Sequence, residues 1–144
     1  MSKFMFWQKW LTYANVLTIG VGLLVAFFGN SIFLEIHNDY TVNVFFGGVP
    51  LTRETLQLKN WLFGVAGGTI VGFHLLMVFI SENAFKKRER WAYLAMWYGL
   101  LSWFIIDSGI SVYYGAVYNV VLINLVALVI IGLPLLVVRK AFYE

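Results

Sequence analysis

The chain has 144 residues, of which 61% are apolar, 19% aromatic and 12% charged, with a mean hydropathy of +0.81. Soluble domains carry about 45–50% apolar and about 25% charged residues, so this composition excludes the soluble and disordered classes and points to a membrane protein. There is no cysteine, which excludes a disulfide framework, an iron–sulfur centre and a thiolate zinc site.

A helix needs about 20 apolar residues to cross the hydrocarbon core. No charge falls between Trp10 and Leu34, which predicts a first span over about 10–29. Lys3 and Lys9 precede it as in a signal peptide. The apolar run is longer than a signal core, however, and no small-residue cleavage site follows near Gly29, so the segment is expected to stay. Residues 30–60 form the one large connection. It mixes apolar residues (Ile32, Phe33, Val44, Phe45) with polar ones, as expected of a segment lying against the membrane or capping a bundle. Glu35, His37 and Asp39 alternate there, which on an extended strand would put three metal-ligand types on one side. A solvated loop is the favoured reading, because no second ligand set accompanies them. Gly47-Gly48-Val49-Pro50 breaks any regular element, and Thr52 reads as a helix N-cap, so the second helix is expected to begin near Arg53.

The second span covers about 61–81. It is followed by the short basic connection ENAFKKRER, residues 82–90, whose charges set orientation or attract anionic lipid heads. Between Trp91 and Val138 the only charge is Asp107, a stretch too long for one helix. YYGAVYN, residues 113–119, supplies a turn, leaving spans of about 91–112 and 120–138. The expected fold is all-α: a four-transmembrane-helix antiparallel bundle forming one domain over residues 1–144. Eight of the ten Lys and Arg residues lie on the side of the termini and the basic connection, with only Arg53 and Lys59 opposite. The positive-inside rule then places both termini in the cytoplasm. The net charge of +3 is thereby a topology signal, with no call for nucleic acid.

Polar groups inside a bilayer are costly and need partners. Asp107 lies sixteen residues past Trp91, roughly 24 Å in by helical rise, and so in the outer third of the membrane. Asn124 is equally far beyond the turn and should meet it, with Ser108, Ser111 and Asn119 nearby and Arg53 or Lys59 within possible reach. This is either a binding or proton-accepting site or a hydrogen-bonded clasp between helices, the clasp being favoured. A second polar layer near the cytoplasmic side joins His74, Asn15 and Tyr98. The only other histidine, His37, is in the connection, so bis-histidine haem is not expected, and no cofactor or metal is predicted. Gly64, Gly68 and Gly72, with Gly67 beside them, form a glycine zipper, expected to pack against the Gly22–Ala26–Gly29 stripe of the first helix with Gly68 at the close contact. Pro134 predicts a local bend near the end of the fourth helix.

There is no nucleophile–base–acid set, no metalloprotease or phosphate-loop motif, and no pair of intramembrane carboxylates. His74 and Asp107 differ in depth by about 10–15 Å, too far to act on one atom. The glycine-rich second helix, the FKKRERWA turn, WFIIDSGIS around Asp107 and YNVVLIN with Asn119 and Asn124 resemble small four-helix bacterial membrane proteins of uncharacterised function. That resemblance runs over residues 61–136 and implies a bacterial cytoplasmic membrane, but no activity. The reading is of a non-enzymatic accessory, scaffold or helix- and lipid-interacting protein, whose partners are membrane lipids and other subunits or a second copy. The alternative is a binder or carrier of a small or lipidic ligand through an outer pocket around Asp107 and Asn124.

Overall fold

The structure, a computed structural model, describes residues 3–143, and among these it is helical without strands: α1 (Lys3–Phe27), α2 (Glu35–Phe46), α3 (Arg53–Phe85), α4 (Arg90–Tyr113) and α5 (Val117–Phe142). All but α2 are long and apolar enough to cross a membrane. At most 28% of the most apolar stretch of any of them is buried. The outward surface is thus apolar on every long helix, which water would penalise and hydrocarbon would not. The helices overrun the predicted spans because charge-free runs mark the hydrocarbon, whereas backbone hydrogen bonding continues into the polar flanks. Thr52 Oγ1 caps α3 by accepting from Thr55 N–H at 3.3 Å.

The seam of the molecule lies between α1 and α3. Gln8 meets Ser81, Asn15 meets His74, Gly22 meets Gly67 and Gly29 meets Phe63. At its centre the Gly67 Cα hydrogens face the Gly22 carbonyl and the Ala26 backbone. The zipper reading is corrected here: an added Cβ at Gly68 or Gly72 would meet nothing within 4 Å, and one at Gly64 only Ala26 O at 3.9 Å. The partner-facing line of α3 runs through Gly67, Val71 and His74, a helical step away from the i, i+4 row of glycines, so Gly68 and Gly72 turn outward.

The apolar core lies toward the end carrying both termini. It comprises Leu11, Ala14, Met77, Phe85, Tyr93, Met96, Leu100, Ile131, Leu135 and Phe142 with their neighbours. Phe4, Phe85, Phe142 and Tyr93 close that end as a ring cluster, and the basic turn folds onto it, Arg88 over Phe4 at 4.9 Å and Arg90 over Tyr143 at 4.8 Å. Pro134 is buried within α5 and cannot donate to Ile130 O. The Trp10 indole N–H does so instead, at 3.0 Å, tying α1 to α5.

The segment carrying Glu35, His37 and Asp39 is a twelve-residue helix rather than a loop or strand, ended by Gly47 at φ +61°. At about 100° per residue, Glu35 and Asp39 share one face and His37 points the other way, so the three do not form a ligand row. No cluster of three metal-ligating acidic, His or Cys side chains occurs among the described residues.

Candidate functional site

Asp107, Ser108 and Ser111 lie on α4, and Asn119 and Asn124 on α5 across the Gly115 turn, whose φ of +75° suits glycine. Five residues apart on a regular helix, the two asparagines would diverge by about 140°. A π turn over Val120–Asn124 prevents this: Leu125 N–H reaches back five residues to Val120 O, and residues five apart come to share a side. Both amides therefore converge on one carboxylate. Asp107 Oδ1 accepts from Asn124 Nδ2 at 2.7 Å, from Asn119 Nδ2 at 2.8 Å and from Ser111 Oγ at 3.3 Å. Asn119 Nδ2 also donates to Ser111 Oγ, and Asn124 Nδ2 to Ser108 Oγ, each at 3.0 Å. Asn124 is wholly buried and its Oδ1 has no partner among the described residues.

Neither expected cation joins this group. Lys59 Nζ donates instead to Asn30 Oδ1 at 2.7 Å and Asn38 Oδ1 at 3.0 Å, and sits 5.0 Å from the Phe63 ring centre. What covers the group is α2. His37 packs edge-on against Tyr118 and Phe63, Tyr40 stacks on Tyr118, and Thr41 Oγ1 lies 2.7 Å from Tyr118 Oη. Burial holds the His37 pKa below its ordinary value, the Lys59 charge adds to this, and hydrogen bonding to the Asn119 side chain opposes it. The involvement of His37 escapes sequence reasoning because its segment reads as a solvated loop. The helical signal was the apolar run on the same segment.

The second polar group lies toward the terminal end. Asn15 Nδ2 donates to Leu11 O at 2.8 Å, which leaves its oxygen facing His74 Nδ1 at 2.7 Å. That oxygen can only accept, so His74 is the donor through Nδ1–H. Tyr98 is exposed and takes no part. One to two turns further along, Gln8, Thr12, Ser81 and Glu82 close a network that the sequence reading did not foresee. Gln8 Nε2 donates to Glu82 Oε1 at 2.9 Å and to Ser81 O at 3.2 Å, and Thr12 Oγ1 donates to Glu82 Oε1 at 2.8 Å. Here too the backbone carries a π turn, Ser81–Phe85. Gln8 and Thr12 are one helical turn apart, which was the available signal.

His74 and Asp107 belong to separate networks, whereas His37 lies beside the Asp107 group. The fold is helical, with four helices long and apolar enough to cross a membrane. Comparison with protein-family models, with curated proteins and with solved structures returned no match.

Proposed function

We propose that the chain is a non-catalytic accessory or scaffold protein of a bacterial cytoplasmic membrane, an antiparallel four-helix bundle with both termini in the cytoplasm, that engages lipid and other transmembrane helices. The observation that carries this is the engagement of Asp107: its Oδ1 accepts three hydrogen bonds, two from Asn119 and Asn124 on α5 and one from Ser111 on α4. A carboxylate so engaged acts as a clasp. The order of contacts from Gln8–Ser81 to Gly29–Phe63 supports the antiparallel arrangement, and the Lys and Arg distribution supports the orientation. The resemblance of residues 61–136 to small bacterial four-helix membrane proteins supports the bacterial assignment.

The outward face of Gly68 and Gly72 is where a neighbouring helix would approach closely. Mass measurement after purification in mild detergent tests this: an assembly is expected, and Gly68→Leu should dissociate it without lowering the melting temperature of the chain. A lone monomer carrying no lipid refutes the proposal. The binding reading, with a ligand held at Asp107 and Asn124, draws support from the unpartnered, buried Asn124 Oδ1. On that reading Asp107→Asn abolishes ligand retention, whereas on the clasp reading it is tolerated.

A further inference from the structure

An open cleft of about 560 Å³ lies between α2 and the start of α3, with Glu35 and Asp39 on the α2 side, Lys59 on the α3 side, and Ile32, Leu51 and Leu56 as apolar lining. Its volume falls within the range of about 300–1,000 Å³ typical of small-ligand sites. Glu35 and Asp39 stand one helical turn apart on the same face, exposed, and the side chain of neither has a hydrogen bond or ion pair among the described residues. Like charges so placed repel slightly, although Glu35 in the first turn of α2 gains from the helix dipole. Lys59 spends two of its three donors on neutral amide oxygens, lies 5.0 Å from the Phe63 ring centre and pairs with no carboxylate among the described residues. The cleft thus holds one positive and two negative groups that face a common space without neutralising one another. Trp61, two residues past Lys59 and exposed, is of the residue type enriched where membrane proteins meet lipid headgroups.

We propose that this cleft binds a zwitterion with a primary ammonium and a phosphodiester, and that its source is the headgroup of phosphatidylethanolamine. The ammonium donates its hydrogens to Glu35 and Asp39, the phosphate lies at Lys59, and the acyl chains leave along the apolar lining. A quaternary ammonium has no hydrogens to donate and is held by aromatic faces, and no aromatic residue lines this cleft. Phosphatidylcholine is therefore the discriminating comparison. The inference rests on the membrane placement proposed above but not on helix association or on the Asp107 clasp.

The test is native mass spectrometry of the full chain extracted from vesicles of equimolar phosphatidylethanolamine and phosphatidylcholine. Wild type should retain phosphatidylethanolamine about tenfold over phosphatidylcholine, the scale of a charge-assisted hydrogen bond. The exposed double substitution Glu35→Gln with Asp39→Asn should level the two lipids, and Lys59→Met should lower retention of phosphatidylethanolamine. Excess glycerophosphoethanolamine should leave the lipid in place. Displacement by that soluble headgroup would overturn the lipid source. Equal retention of both lipids by wild type, or a preference unchanged in the double variant, would overturn the site.

Discussion

Gly67→Ala adds one methyl group at the closest approach of α1 and α3. Its Cβ would lie 2.5 Å from Gly22 O, 2.6 Å from Ala26 N and 2.8 Å from Ala26 Cα. All three are backbone atoms, so no rotamer change relieves the clash and α1 must retreat by about 1 Å to regain ordinary separation. That retreat strains the whole seam, including the 2.7 Å Asn15–His74 bond and the packing of Phe63 on Gly29. The expected loss is about 1–3 kcal/mol. Gly68→Ala is the control one residue away: the same methyl meets nothing within 4 Å. Removing a mid-helix glycine there should add about 0.5–1 kcal/mol. Thermal unfolding in detergent, followed by tryptophan fluorescence, should show the melting temperature falling for Gly67→Ala and holding or rising for Gly68→Ala. A Gly67→Ala protein that melts with wild type, or a Gly68→Ala protein that melts below it, refutes the seam assignment.

Asp107→Asn should retain the fold, because an amide oxygen can still accept from Asn119 and Asn124, whereas Asp107→Leu should cost about 1–3 kcal/mol by stranding those donors; equal melting of the two variants would count against the clasp. Since His37 has a depressed pKa in the folded chain, its contribution is present above the unfolded value of 6.5 and is lost as pH falls through the folded one. Wild type should therefore lose melting temperature between pH 7.5 and 5.5 more than His37→Gln does, and identical pH profiles would show that α2 docking is insensitive to this ring. Trp10→Phe should cost about 1 kcal/mol by leaving Ile130 O without its indole donor. In a Pro134→Ala background, where the backbone can supply the bond, that cost should shrink, and a double-mutant cycle with no coupling would refute the substitution of indole for backbone.

The number of membrane-crossing helices was legible in residue order alone, because a 20-residue apolar run has one low-energy form in hydrocarbon, and charge, turn glycines and the Thr52 cap mark its ends. The meeting of Asp107 with Asn124 was legible for a related reason: two positions equally far from a tight turn lie at one depth. Residue spacing could not tell which edge of a glycine-rich helix faces its neighbour, since Gly67 and Gly68 differ by a rotation that only the packing of α1 selects. Nor could it show the π turn at Val120–Asn124, which lets Asp107 gather two amides that a regular helix would hold apart. The placement of Lys59 on Asn30 and Asn38, and of α2 as a helix over Asn119 and Tyr118, likewise joins segments distant in the chain. Local pattern decides where a helix begins and how deep each residue lies. Rotation about the helix axis and the pairing of buried polar groups are set by side chains on other helices, and only the folded chain brings those into contact.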